Sequence, residues 1–496
     1  MKPRLLLLLR ARPRRTLVIA LALGMAGCAA IPPDRNPLPQ QDMARVQLAR
    51  DIRLAREGWP DAQWWRQYRD PQLDRLIERA LAHSPTLAVA AARIAAAHSA
   101  LAVNAADSGL DVGFDAASNR QRYSANGLFP TPIGGNYFSE TTLELQARYR
   151  FDWWGKRRAM IAAALGEVDA RKADYAQAEQ TLTAAIAQSY FNLQSDFARL
   201  ANLRELIATQ RGLLADRIER VRHGLASRDE QRLAESGLDD LKRQRASLEA
   251  QRAGEREALR ALLGADAGAL SELEPRRIAE VSQALPATLG MELLARRPDL
   301  QAARWRIVAA LSRVEAARAS FYPDINLIGA FGTDALSVDH LLAAASRTPF
   351  VGSTLSLPLF DSRRLDARLA STRSERNLLI ADYNQRVIAA LRDIARQAIA
   401  LRGIEGEIAQ QRAVDAASDD LLRSAQARFK RGLADRGAVL SAESARLRQQ
   451  DALLRLENQR LLAEVSLDQA LGGGYRTGSP PGRAAHSSNL TTEAKP

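Results

Sequence analysis

Few side chains in this 496-residue chain are spaced for chemistry. The five histidines, at 83, 98, 223, 340 and 486, show no ligand spacing such as H-E-x-x-H, which sets two imidazoles on one helical face. No nucleophile elbow, P-loop or Rossmann glycine pattern occurs. Gly472-Gly473-Gly474 follows a helical stretch, not a strand, and reads as a helix stop and linker. Neither catalysis nor a metal site is expected. Two features remain. One is a single thiol, Cys28; the other is a Gly-Leu-Ala triplet that occurs at 224–226 and again at 432–434. A glycine there lets the backbone reverse at positive φ.

The position of Cys28 says what its thiol is for. Basic residues through Arg15 precede the apolar run Leu17–Leu23, and Gly24-Met25-Ala26-Gly27 leads into the cysteine. That order is a charged region, a short apolar core and small residues at a cut, so residues 1–27 read as a signal peptide. The apolar core is too short to stay as a spanning helix, which needs about 20 apolar residues. Met-Ala-Gly-Cys resembles the bacterial lipobox, whose cysteine becomes the acylated first residue of the mature chain. Several acyl chains anchor firmly, because each buried methylene contributes about 0.8 kcal/mol. Ala29 follows, not an aspartate, which by the usual sorting pattern directs the product to the outer membrane. With one cysteine no disulfide can form within the chain.

The formal charge of +13 invites a nucleic-acid reading that the distribution rejects. Lys2, Arg4, Arg10, Arg12, Arg14 and Arg15 leave with the signal peptide, and the mature chain keeps 64 basic and 57 acidic residues, a net +7. Those charges alternate in sign along helical faces, as on a solvated surface. Aromatics are 5% of the chain, while Ala, Leu, Arg, Gln and Glu fill long stretches, which is the composition of long helices.

The elements that must position the two triplets are themselves duplicated. His83-Ser84-Pro85-Thr86-Leu87 aligns with Arg296-Arg297-Pro298-Asp299-Leu300 at an offset of 213 residues. Phe151-Asp152 meets Phe360-Asp361 at 209, and Ala173-Asp174-Tyr175 meets Ala381-Asp382-Tyr383 at 208. Gly224-Leu225-Ala226 then meets Gly432-Leu433-Ala434 at that same 208, and Leu263-Gly264 and Leu471-Gly472 close both copies. Each copy has the order helix, two strand-like segments, long helix, short turn, long helix. After Asp152 the chain runs helical to about Val221 without a proline, a length on the order of 100 Å. A return helix runs to about Leu263, and residues 362–471 repeat the pair. Their alanine-rich faces read as coiled-coil partners.

The strand-like segments alternate with period two. Leu143, Leu145, Ala147, Tyr149 and Phe151 face one way, and Glu144, Gln146, Arg148 and Arg150 the other. Leu110, Val112, Phe114 and Ala116 oppose Asp111, Gly113 and Asp115. The second copy offers Ile325, Leu327, Gly329 and Phe331, then Val351, Ser353, Leu355, Leu357 and Leu359. Strands of about ten residues with charges lining one face are long enough to cross a bilayer when tilted. Four strands cannot close a barrel, and an open edge is not tolerated in lipid. Three chains would supply twelve. Residues 118–139 and 333–350 are expected to be the hairpin loops.

With these features in place the chain resembles the TolC/OprM-like outer-membrane efflux proteins (the lipoprotein, NodT-type branch), from about Trp59 to Leu471. The carrying segments are Trp65 through Asp70-Pro71-Gln72-Leu73, the helix starts at Pro85 and Pro298, Phe321-Tyr322-Pro323-Asp324, and Tyr149-Arg150-Phe151-Asp152-Trp153-Trp154-Gly155-Lys156. Their order across both copies carries the resemblance. It implies a mixed α and β membrane protein with a two-fold internal repeat, built as a homotrimer. Four strands per chain would form a twelve-stranded barrel above a helical coiled-coil tunnel in the periplasm. The expected divisions are signal peptide 1–27, a lipid-anchored strap 28–58, efflux repeats 59–265 and 290–473, and a disordered tail 474–496.

The resemblance also implies partners: a periplasmic adaptor, an inner-membrane pump of the proton-driven kind, and outer-membrane lipid, but no nucleic acid. No cofactor is expected beyond the covalent lipid on Cys28. Gly224, Leu225, Ala226, Gly432, Leu433 and Ala434 match the family's Gly-Leu turns, where the adaptor docks. Many relatives place acids just beyond the second turn, at positions occupied here by Ala438 and Ser441; Glu230, Asp435 and Arg436 are the alternative candidates for closing the aperture. The implied activity is passive exit of drugs or other toxic small molecules. Protein secretion through the same duct, or a lipid-tethered coiled-coil scaffold, are the competing readings.

Overall fold

A computed structural model describes residues 31–475 except for 50, 51, 55, 56, 108, 267, 269, 278, 279, 282, 287, 288, 359 and 360. Residues 1–30, with the expected signal peptide and Cys28, and residues 476–496 of the expected tail therefore lie outside the described residues. In chain order the helices are α1 (Pro71–His83), α2 (Pro85–Ala106), α3 (Lys156–Arg222), α4 (Arg228–Leu263), α5 (Gly290–Arg296), α6 (Pro298–Ala319), α7 (Ser362–Lys430) and α8 (Arg436–Ala470). The strands are β1 (Leu110–Arg122), β2 (Tyr137–Arg150), β3 (Asp324–Ala335) and β4 (Arg347–Ser356). The two copies thus repeat one element order. Two compact units cut across that repeat. One gathers the strap up to Gln40 with Ala95–Ala170 and Ala303–Asp382; the other gathers Gln41–Ile94, Arg171–Ala302 and the chain from Tyr383.

In the first unit the strands form one antiparallel sheet in the order β1-β2-β3-β4, so the two hairpins are joined through β2 and β3. The register puts Phe114 opposite Leu145, Leu145 opposite Phe331 and Phe331 opposite Pro349. Neighbouring rows align Val112, Ala147, Gly329 and Val351. One face of the sheet is therefore apolar along its whole width, as the alternation predicts. The other face is charged along the first hairpin, by Asp111, Asp115, Glu144 and Arg148; the second carries charge there only at the two ends of β3, Asp324 and Asp334, with Ile328, Ala330 and Phe350 between. A charged face throughout was expected, and half of the sheet departs from it. The loops are also shorter than expected, 123–136 and 336–346. Polar Ser118–Arg122 continues the ladder because its backbone pairs with Tyr137–Thr141, which needs no apolar side chain.

Below the sheet, Val314, Ala317, Phe321, Leu365 and Leu369 form a small core that Ile31 of the strap joins. The strap is fastened by charge. Arg376 donates to Asp34 at 2.5 Å, Arg373 donates to the carbonyls of Pro32 and Pro33, and Asn377 donates to the carbonyl of Asn36. Asp152 starts α3, accepting from the backbone N–H groups of Arg157 and Arg158 at 3.0 Å each. Trp154 stacks on Tyr322 and donates to the Pro323 carbonyl at 2.8 Å.

The second unit explains the Asp-Pro-Gln-Leu segment. Asp70 caps α1 by accepting from the Gln72 N–H, and Pro71 occupies the first helical position, where no N–H is needed. The other oxygen of Asp70 takes the Tyr190 hydroxyl at 2.6 Å. Tyr68, Ile77, Ile186, Tyr190, Phe191 and Leu259 form the centre of the core there. Gln72 and Gln194 use their amides to bind the backbone of Glu274 and Arg276 in the segment linking the copies. One expectation fails. Gly472, Gly473 and Gly474 are buried, with φ of +97°, +52° and +75°, so they are no linker. A Cβ on Gly472 would overlap the carbonyl of Arg296, and one on Gly474 that of Asp61. The tail cannot begin at 474: Gly474 is buried and Tyr475 half-buried.

Candidate functional site

The two Gly-Leu-Ala triplets close two helical reversals in the second unit, between α3 and α4 and between α7 and α8. Their backbones are copies of each other. Gly224 N–H donates to Val221 at 3.0 Å and Leu225 N–H to Arg220 at 2.8 Å; Gly432 N–H donates to Phe429 at 2.9 Å and Leu433 N–H to Arg428 at 2.9 Å. These bonds satisfy the last carbonyls of each outgoing helix. Gly224 and Gly432 have φ of +69° and +72°, and nothing lies within 4 Å of where a Cβ would stand. Backbone sign, not space, demands glycine at both.

The returning helices are then capped. Ser227 and Glu230 form a reciprocal box: the Glu230 N–H donates to Ser227 Oγ at 3.2 Å, and the Ser227 N–H to Glu230 Oε1 at 3.4 Å. At the equivalent place Asp435 accepts from the Ala438 N–H at 2.8 Å. Local folding thus accounts for Gly224, Gly432, Ser227 and Asp435. It does not account for Leu225 and Leu433, whose side chains are 68% and 67% exposed. Ala226 and Ala434 beside them are half-buried.

Of the aperture candidates, Glu230 pairs with Arg217 at 3.4 Å, and Asp435 pairs with Arg220. The Ala438 N–H, aided by Arg220 and Arg217, holds the Asp435 carboxyl below its ordinary range. Arg436, the first residue of α8, is exposed and pairs with neither acid. Ala438 and Ser441 are exposed as well. Sequence reasoning missed Arg217 and Arg220. Position was the one signal: both lie in the last turns of α3, beside the reversal, but which acid each meets depends on helix register. Cys28, the lipidation candidate, lies outside the described residues.

Among the described residues no group of His, Cys, Asp and Glu is placed to hold a metal ion. The site offers two rigid reversals that present leucine to solvent, and elsewhere a sheet with an apolar face.

Known proteins share this organisation. The family model described as outer membrane efflux protein matches residues 76–265 and 289–473. The chain is 38% identical over 465 residues to the multidrug resistance outer membrane protein MdtP of Shigella flexneri, covering 91% of this chain and 94% of that protein. It is 35% identical over 472 residues to the putative multidrug resistance outer membrane protein MdtQ of the same organism, covering 92% and 97%. The crystal structure of the outer membrane protein VceC of Vibrio cholerae superimposes with a TM-score of 0.76 at 30% identity, over 84% of this chain and all of that one. Two matched repeats, one hairpin of strands and one of helices in each, and relatives aligned nearly end to end place the chain in the family of outer membrane efflux proteins.

Proposed function

We propose that this outer-membrane efflux channel protein forms, as a homotrimer, the passive exit duct of a tripartite system. An inner-membrane pump of the proton-driven kind supplies the energy, and a periplasmic adaptor docks on the Gly-Leu turns. The exported molecules are small drugs or other toxic compounds, as the names of its relatives indicate for them. Covalent lipid on Cys28 holds the strap at the membrane. Transport through such a duct requires no catalytic step.

The observation that carries this reading is the unfinished sheet. β1 and β4 each have one unpaired edge, and Val112, Phe114, Phe331 and Val351 are exposed on its apolar face. Lipid tolerates only closed sheets, so four strands must be completed by other copies, and three copies give twelve strands. The helices agree. α2 is apolar over its length yet buries only Leu87, whereas its repeat mate α6 buries Leu300, Ala302, Ala303, Ile307, Ala309 and Ala310 within the chain. An alanine-rich helix that only Leu87 at its start anchors among the described residues fits a neighbouring subunit along the rest of its length.

Replacing Leu225 and Leu433 by Asp tests the docking part. Export, read as resistance of cells that depend on this chain, should be lost while trimer yield stays unchanged. Full resistance with both substitutions would sink the docking role. Electron microscopy of the detergent-extracted protein tests the assembly, and a particle without three-fold symmetry would sink it.

A further inference from the structure

The two reversals share a backbone but not an electrostatic surface. At the offset of 208, Asp216, Glu219, Asp229 and Glu230 around the first are replaced by Ser424, Ala427, Gly437 and Ala438 around the second. Residues 216–232 carry five arginines against four acids; residues 424–440 carry four cations against one acid.

Pairing in the fold widens the difference. At the first reversal Arg222 donates to both oxygens of Glu219, at 2.8 and 3.0 Å, and Arg217 faces Glu230. The one acid of the second reversal, Asp435, is already engaged by the Ala438 N–H and by Arg220 of α3. Arg428, Lys430, Arg431 and Arg436 are all exposed, and no carboxylate among the described residues lies within ion-pair distance of them. Phe429 and Leu433 stand exposed in their midst. Four unneutralised cations around an apolar tip suit a protein partner that brings carboxylates to the rim and an apolar contact to the centre.

We propose that the reversals are two unlike docking sites, and that the second, around Lys430, Arg431 and Leu433, receives an acidic segment of the periplasmic adaptor. The first, self-neutralised, contributes apolar contact through Leu225 with little charge selection. This rests on the reading that the adaptor docks at these turns, and adds which of them recognises charge.

The test uses the full-length protein in detergent and two synthetic helical hairpins of equal length, one with Glu and one with Lys flanking an apolar turn. Binding is followed by fluorescence anisotropy across a salt series. The Glu hairpin should bind about tenfold more tightly at low salt, with the preference fading as ionic strength shortens the reach of the charges. K430E/R431E should erase the preference, and the charge-neutral K430Q/R431Q should reduce it part-way. R222E/R228E, the same change at the first reversal, should alter it less than about threefold. Each variant is first shown to keep the oligomeric state and melting temperature of the parent. Equal binding of the two hairpins, or equal loss from both pairs of reversals, overturns the proposal. If hairpins bind without charge preference and Leu433→Asp still releases them, docking stands and only the charge assignment falls. If neither hairpin binds, both readings fall.

Discussion

Asp468 is a carboxylate in the wrong place for charge. It is 3% exposed on α8, and one oxygen takes the Gln67 amide at 3.0 Å and the Gln283 amide at 3.5 Å. One turn away Glu464, 1% exposed, takes the Tyr68 hydroxyl at 3.1 Å and lies 3.5 Å from Arg460. Burial, reinforced by Glu464, pushes the Asp468 carboxyl up to about 8; burial likewise pushes Glu464 to about 7 against the pull of Arg460. An exposed aspartate loses its proton near pH 4, so between about 4 and 8 the unfolded chain binds fewer protons than the folded one. Stability from this site is therefore complete at low pH and declines as pH rises through that interval. Asp468→Asn keeps the shape and removes the proton. Its melting temperature should match the parent at about pH 3 and exceed it by about 2 °C or more at about pH 8; a difference that does not change with pH would show that Asp468 is charged in the fold. Two glycines make a sharper contrast. Gly474→Ala must relieve an overlap with the Asp61 carbonyl at a φ of +75°, a loss of at least about 1–3 kcal/mol, whereas Gly254→Ala meets open space inside α4 and should add about 0.5–1 kcal/mol. Urea unfolding of the pair measures both signs at once.

Elements show why some of this was legible and some was not. The helical reversals were readable because each carries its own instructions: a glycine for the positive φ, then Ser227 or Asp435 to cap the next helix. Asp435→Ala removes that cap and the Arg220 contact together, and should destabilise the start of α8 by about 0.5–2 kcal/mol. Faster amide exchange confined to the residues after 435 would be the signature; unchanged exchange would mean the cap is redundant. Strand positions were readable from alternation, and strand ends were not. Ser118–Arg122 has no apolar period, and its pairing is decided by the opposite strand. The triple glycine misled for a related reason. Composition reads Gly-Gly-Gly as slack, but here the lack of side chains admits the backbones of Arg296 and Asp61, segments distant in sequence. Arg217 and Arg220 escaped notice because the first pairs across its own hairpin and the second with the cap of α8 in the other hairpin, registers that the α3 sequence alone does not state.

At the scale of the whole molecule, one chain is an incomplete object by two independent criteria: a sheet with two bare edges and a helix, α2, with almost nothing buried. Closing three sheets into one barrel satisfies the ladder of every strand and turns one face toward lipid. The apolar rows identify that face, since Phe114, Leu145 and Phe331 share a register row with Pro349 while Asp115 and Glu144 point oppositely. Face and charge should then separate cleanly. Phe114→Arg would put a guanidinium among hydrocarbon at about 2–4 kcal/mol per chain near the midplane, a penalty taken three times in a trimer. Asp115→Arg, one residue along, would only change a charge on the opposite, water-lined face. Heat-resistant trimer on a semi-native gel should therefore vanish or melt earlier for Phe114→Arg and survive for Asp115→Arg. The reverse ranking would turn the sheet inside out and place the apolar rows against protein; equal tolerance of both would remove the sheet from the membrane altogether.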